Sequence, residues 1–180
     1  NDEFYQQYQN GTLDIHEFCA FSFSSLACRS MEELAELHKE FMQEYIEPKM
    51  SKKSKALIAQ HQAMDHTLMV ITATNSFVTR PIVTAFGIDN LIAIEPKIEN
   101  GRYTTKIDGV PSFKEGKVTR LEAWLAENNE TLDGSYFYSD SRNDLPLLER
   151  VTYPIAVDPD PTLEAIARER EWDIISLVDD

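Results

Sequence analysis

Cysteine, histidine and basic residues are all scarce in this chain, and long apolar runs are missing from it. Two cysteines occur in 180 residues, Cys19 and Cys28. That is too few for a disulfide scaffold or a zinc site, and both fall in an apolar stretch, so buried reduced thiols are expected. The four histidines, His16, His38, His61 and His66, show no metal-ligand spacing and read as structural or exposed. No apolar run approaches the roughly 20 residues that span a bilayer. The first residues carry no signal-peptide pattern, so a cytoplasmic location away from the membrane is the expectation. Basic residues number 17 against 31 acidic ones, a formal net charge of -14. Phosphate backbones and anionic lipid surfaces repel such a chain, which argues against nucleic acid as a partner. The lysine run Lys49, Lys52, Lys53 and Lys55 reads as the solvated start of a helix.

What is present is an ordinary globular mixture, 42% hydrophobic and 27% charged, enough to bury a core. The first 47 residues read as helices only. Glu3 to Gln9 is polar and aromatic, and Gly11 suits a left-handed stop. Leu13 to Leu26 is richly apolar; its Phe18, Phe21 and Phe23 are expected in a core rather than at a ligand. Ser30 and Glu33 form a capping-box pair, followed by helical spacing through Leu34, Leu37, Phe41 and Tyr45, with Pro48 as the stop.

After Pro48 the pattern alternates. Helices are expected over Ser51 to Met64, Ser76 to Phe86, Lys114 to Glu127, Asn143 to Arg150 and Thr162 to Arg170. Strands are expected over Thr67 to Thr72, Leu91 to Ile94, Ser135 to Ser139, Ile155 to Val157 and Asp173 to Leu177. Lys97 to Ile107 carries Asn100-Gly101 between alternating segments, a hairpin signal. Strands alternating with helices predict an α/β protein with a parallel sheet covered on both faces. Ligands of such sheets bind beyond the carboxyl ends of the strands, which singles out the segments after Ile71, Tyr138 and Val157.

The segment after Tyr138 reads Ser139-Asp140-Ser141-Arg142-Asn143-Asp144. Asp140 and Asp144 at a strand end make a hard-oxygen pair suited to Mg²⁺. Residue chemistry alone leaves a second reading open, in which Asp140 forms a turn and Asp144 is a helix N-terminal acid. Thr72, Ala73, Thr74 and Asn75 place hydroxyls and backbone N–H groups at a strand-to-helix junction. Such a junction can hold an anionic oxygen, or Asn75 or Ser76 can simply cap the helix. Lys117 sits in the first turn of a helix, where the dipole disfavours a cation; neutralising a phosphate would explain it, and so would plain solvation.

Taken in order, these strings resemble the haloacid-dehalogenase-like hydrolases, in the phosphoserine-phosphatase-like branch. MVITATNSF resembles the family's second motif, Lys117 in EGKVTRLEAWL its third, and YFYSDSRNDLPLL its fourth, commonly GDGxxD, with Ser139 and Ser141 replacing the glycines. The closing VDPDPTLEAIAREREWDIISL is similar to the branch's last strand, helix and strand. The resemblance implies a Rossmann-like parallel sheet with a small all-helical cap, residues 1–47, and an α/β core, residues 48–180, lacking its first strand. It implies a phosphatase acting on a small phosphorylated metabolite, phosphoserine and histidinol phosphate both suiting the branch. Asp140 and Asp144 would hold Mg²⁺, Thr72 and Lys117 would serve catalysis, and Thr72, Ala73, Lys117 and Asn143 would bind phosphate. The first motif, DxDx[TV], is absent. An upstream portion of about 30–40 residues by family proportion is therefore expected. The alternatives are a catalytically dead ligand- or partner-binding module and, less fitting, a response-regulator-like acidic pocket.

Overall fold

Local capping chemistry fixes most element boundaries. A computed structural model describes residues 2–179. Helix α1 spans Asp2–Asn10, and Gly11 follows it at φ 75°. Helix α2, Ile15–Ala27, starts at Asp14, whose carboxylate accepts from His16 N and Glu17 N at 2.8 and 3.2 Å. Helix α3, Met31–Phe41, opens on the expected capping box: Glu33 N donates to Ser30 Oγ and Ser30 N to Glu33 Oε2. The helical pattern expected to continue to Ile46 does so by widening into a π-helical segment, Met42–Ile46, and then tightens to a 3₁₀ turn at Glu47–Lys49. Pro48 falls in that turn. It cannot donate to the helical ladder.

The remaining elements in chain order are α4 (Lys52–Ala63), β1 (Met69–Asn75), α5 (Ser76–Ala85), β2 (Asn90–Glu99), β3 (Arg102–Asp108), α6 (Glu115–Asn128), β4 (Tyr136–Ser139), α7 (Leu145–Leu148), β5 (Tyr153–Val157), α8 (Pro161–Glu169) and β6 (Asp173–Ile175). The chain is an α/β protein. It divides into two units, one of residues 1–49 and 69–111, the other of residues 50–68 and 112–180.

In the first unit the strands run in the order β1-β2-β3, β1 parallel to β2 and β2 antiparallel to β3. Asn100 and Gly101 both take positive φ, 51° and 74°, as a tight hairpin turn requires. The strand expected at Leu91 to Ile94 is thus continuous with the first arm of the hairpin. The core gathers Cys19, Phe23, Leu26, Leu34 and Ile94, with Phe18, Ala73, Phe77 and Tyr103 packed on it. Helices α2 and α3 therefore share a core with β2 and β3.

Two expectations from the apolar run of α2 do not hold. Cys28 is exposed, because it lies at the helix C-cap beyond the buried stripe of Cys19, Phe23 and Leu26. Phe21 is 51% exposed, since it lies off that same stripe, and its ring meets Phe4 at a tilt of 40°, centroids 5.3 Å apart. Cys19 is buried as expected, and burial pushes its thiol up to about 11.

In the second unit β4, β5 and β6 are parallel, in that order. Leu148, Ala156, Leu163 and Ala167 form its core, joined by Phe137, Leu145, Trp172 and Ile174. At the start of α4, Lys52 N and Lys53 N donate to the carboxylate of Asp179 at 2.9 and 3.2 Å. The lysine run is thus a helix start whose amides are satisfied within the chain, with Lys52 and Lys55 exposed. His61 is buried and links Tyr138 Oη (2.7 Å) to His66 Nδ1 (2.8 Å). A neutral imidazole there donates on one side and accepts on the other. Among the described residues no helix is long and apolar enough to cross a membrane.

Candidate active site

The acidic loop after β4 is assembled by side-chain hydroxyls. Ser139 Oγ accepts from Ser141 N at 3.1 Å and donates to Asp144 Oδ2 at 2.7 Å. Ser141 lies in extended backbone, φ -116°, and its Oγ accepts from Asn143 N at 3.2 Å, starting the 3₁₀ turn Arg142–Asp144. Neither serine takes a positive φ. The two positions where the resembled motif has glycine therefore demand no glycine backbone here, and the hydroxyls supply hydrogen bonds that hold the loop.

Asp144 closes that loop from within. Its side chain is 9% exposed, and Lys117 Nζ, 8% exposed, stands 2.5 Å from Oδ1. The approach is a charge contact outside hydrogen-bond angles, so Oδ1 is a buried acceptor that receives no hydrogen bond among the described residues. Taking two such charges out of water costs several kcal/mol for each ion, and their attraction must offset it. Lys117 reaches this position from the first turn of α6, where Lys117 N donates to Lys114 O at 3.0 Å. Lys114 itself caps the helix at φ 49° and ψ -124°, strained backbone for a residue with a Cβ.

Asp140 and Asp144 differ in setting: Asp140 is exposed and Asp144 buried. Their donors are carboxylate oxygens throughout, the type a hard divalent cation takes. Asp144 Oδ1 meets the Lys117 ammonium and receives no further hydrogen bond among the described residues, so it keeps a lone pair to offer and the residues fit Mg²⁺. Among the described residues no cluster of three or more His, Cys, Asp or Glu could hold an ion by itself. Mg²⁺ commonly keeps several waters, so a pair of carboxylates is a workable protein share.

One residue that sequence reasoning did not place at the site holds this loop. The Asp160 carboxylate accepts from Arg142 N at 2.7 Å through Oδ2, and from Thr162 N and Leu163 N, both at 2.9 Å, through Oδ1. Asp160 N donates to Asp140 O at 2.8 Å. A single residue thus caps α8 and fastens the loop on both sides of Ser141. The sequence signal was the cap, an Asp directly before Pro161; its second set of partners lies 18 residues away.

Thr72 and Ala73 lie in the first unit. The strand expected to end at Thr72 runs on to Asn75, whose Oδ1 caps α5 by accepting from Val78 N at 3.0 Å. Pairing with β2 jumps from Ile71↔Ile92 to Asn75↔Ile94, so Thr72, Ala73 and Thr74 stand opposite the single residue Ala93. Such a bulge lifts residues from the ladder and re-aims their side chains. Thr72 Oγ1 accepts from Thr74 N at 3.1 Å, while Ala73 packs its methyl against the core. Of the residues singled out from sequence, Lys117 and Asp144 are in direct contact, and Asp140 and Asn143 share the loop of Asp144.

Residues 2–149 match the family model of haloacid dehalogenase-like hydrolases. The chain is 48% identical over 181 residues to a histidinol-phosphatase of Neisseria meningitidis serogroup C, covering 98% of this chain and 82% of that protein. It is 29% identical over 146 residues to a phosphoserine phosphatase of Mycobacterium tuberculosis, but spans only 47% of that protein's length. Among solved structures, a Bordetella pertussis protein of unknown function superposes with a TM-score of 0.92 at 46% identity, covering 98% of this chain and 80% of that one. A substrate-bound phosphoserine phosphatase shares the fold, with a TM-score of 0.70 at 16% identity, covering 99% and 80% of the two chains.

Proposed function

The chain belongs to the haloacid dehalogenase-like hydrolase family, and on that premise we propose that it is the greater part of a Mg²⁺-dependent phosphatase acting on a small phosphate monoester. The observation that carries this reading is the buried Lys117–Asp144 contact, tied through Ser139 to the loop of Asp140 and Asn143. A cation and a carboxylate buried together at a strand's carboxyl end cost stability that a structural role alone repays poorly. A site that handles phosphate and a divalent ion gives that cost a use.

In this reading Asp140 and Asp144 hold Mg²⁺, directly or through water, and the ion supplies electrostatic stabilisation of charge on the phosphoryl oxygens. Lys117 offsets the crowded negative charge. Thr72 hydrogen-bonds a phosphoryl oxygen, the Ala73 backbone N–H lies beside it in the bulge, and Asn143 positions the phosphate or Asp144. The helical segment of residues 1–47 acts as a cap that selects the substrate.

The family's first motif, DxDx[TV], has no counterpart in these 180 residues. By family resemblance, an upstream DxDx[TV] strand supplies one Asp that takes the phosphoryl group as an aspartyl-phosphate and a second that protonates the leaving oxygen. The only Asp-x-Asp here, Asp158-Pro159-Asp160, is committed elsewhere. Asp158 Oδ2 accepts from Leu177 N at 3.0 Å, and Asp160 holds Arg142, Thr162 and Leu163. The likeness to the Neisseria histidinol-phosphatase favours histidinol phosphate over phosphoserine as the substrate. The second reading is a catalytically dead ligand- or partner-binding module that keeps the fold.

The test is to extend the chain upstream with a DxDxT strand and assay p-nitrophenyl phosphate and histidinol phosphate with Mg²⁺. Turnover that is lost in Asp140→Asn and Asp144→Asn supports the phosphatase. Turnover by the 180-residue chain alone that survives Asp140→Asn would place the chemistry elsewhere, and an inert extended protein that still binds phosphate esters would favour the binding module.

A further inference from the structure

Ser139 stands where the resembled motif has glycine, so its hydroxyl is a group that this chain adds to the acidic loop. Ser139 is buried, and its Oγ both accepts and donates. It accepts from Ser141 N at 3.1 Å and donates to Asp144 Oδ2 at 2.7 Å. A hydroxyl has a single proton, and here that proton goes to the carboxylate. The other oxygen, Asp144 Oδ1, faces Lys117 Nζ at 2.5 Å. The two oxygens of Asp144 thus hold two different neighbours, a hydroxyl and an ammonium. Each keeps a further lone pair, so either can meet an ion singly. For both to grip one ion, the carboxylate would have to turn away from Ser139 and Lys117. Water could not replace those contacts easily, because the side chains of Lys117 and Asp144 are each less than a tenth exposed.

The backbone of the loop is also restrained. Arg142 N donates to Asp160 Oδ2 at 2.7 Å, and Asp160 N donates to Asp140 O at 2.8 Å, which ties the chain down on both sides of Ser141. Asn143 N is held in turn by Ser141 Oγ at 3.2 Å. The spacing between Asp140 and Asp144 is therefore set by hydrogen bonds rather than left free to widen. The two hard divalent cations differ in what they demand of such a loop. Mg²⁺ accepts single carboxylate oxygens in a compact octahedron completed by water. Ca²⁺ is larger, takes about six to eight oxygens, and commonly uses both oxygens of one carboxylate. A buried carboxylate that offers one oxygen at a time, in a loop that cannot open, serves the first ion and leaves the second short of ligands.

We propose that Ser139 sets the metal specificity of this loop: by holding Asp144 Oδ2 it keeps Asp144 a one-oxygen ligand, and so selects Mg²⁺ against Ca²⁺. The inference rests on the proposed role of Asp140 and Asp144 as the metal ligands, and it is read from binding rather than turnover. The experiment is an NMR titration of the 180-residue chain with Mg²⁺ and with Ca²⁺, following the amides of residues 139–144. It is repeated on Ser139→Ala, Ser139→Gly and Ser139→Thr, with a thermal melt establishing that each variant is folded. The parent is expected to bind Mg²⁺ more tightly than Ca²⁺. Ser139→Ala and Ser139→Gly release Oδ2 and should shift the ratio of the two affinities toward Ca²⁺ by about tenfold. Ser139→Thr keeps a hydroxyl and should keep the parent's ratio. A purely structural role gives another pattern, since a loosened loop loses both ions by the same factor. An unchanged ratio in the folded hydroxyl-free variants, or a parent chain that prefers Ca²⁺, overturns the assignment. A parent chain that binds neither ion removes the metal reading and this inference with it. Failure of the phosphatase reading shows separately, as no hydrolysis of p-nitrophenyl phosphate by the extended protein, and leaves the binding ratio standing.

Discussion

Lys117 Nζ stands 2.5 Å from Asp144 Oδ1, with both side chains less than a tenth exposed. Each charge depends on the other for compensation, because neither has bulk water to fall back on. Lys117→Met therefore leaves a buried carboxylate unpaired and is expected to cost about 3–5 kcal/mol, read from denaturant midpoints. The double variant Lys117→Met/Asp144→Asn should recover a large part of that loss. A double variant no more stable than Lys117→Met would show that packing, not charge, sets the cost.

Asp160→Ala removes a helix cap, worth about 1 kcal/mol, and the acceptor of Arg142 N. The expected signature is a modest drop in stability with a disproportionate loss of Mg²⁺ affinity, measured by calorimetry on the folded variant. Asp160→Asn keeps a side-chain oxygen that can accept and should lose less. Mg²⁺ binding that tracks stability alone in both variants would reduce Asp160 to a cap.

The two thiols should separate cleanly under a maleimide or disulfide reagent. Cys28 is exposed; Cys19 is buried, with its thiol pushed up to about 11 by desolvation. One cysteine should label within the native state near neutral pH, and the second only as the chain unfolds. Rapid labelling at Cys19 would contradict the packing of α2.

Acidification should weaken the fold in two stages. His61 is held below its ordinary value by burial and by the neighbouring His66 charge. Below its ordinary range near pH 6.5 the unfolded chain then binds more protons at this position, so stability falls with pH until the lowered native value is passed. Asp158 and Asp179 are held below the ordinary carboxylate value, Asp158 chiefly by the Ser176 side chain and Asp179 chiefly by the Lys52 backbone N–H. Their contribution is present above the usual Asp range and is lost as pH drops through their lowered values. Denaturant midpoints from pH 7 to 5 should decline less steeply in His61→Asn than in the parent chain. An equal slope in both would remove His61 from the account.

Much of the fold was legible because its signals are local. Ser30 and Glu33 are three residues apart, and Asn100-Gly101 is a dipeptide. The acidic loop was legible for the same reason, since Asp140, Asn143 and Asp144 lie within one turn of chain. What stayed hidden depends on distant partners or on which side of a helix faces inward. The closeness of Lys117 to Asp144 and the grip of Asp160 on Arg142 come from packing between elements. Phe21 is exposed because of its angle around α2, and Cys28 because it lies at the C-cap beyond that helix, neither of which composition announces. The extension of β1 past Thr72 was invisible because nothing in TATN announces a change of register.

That register change makes chain length, rather than residue identity, the guarded property of residues 72–74. With Ile71 and Asn75 both pinned to their neighbours on β2, removing one residue between them must either drag Asn75 off the start of α5 or turn Thr72 over to the opposite side of the strand. Substitutions there can adjust hydrogen bonding by degrees, but a one-residue deletion would disturb helix, hydroxyl and strand in a single step.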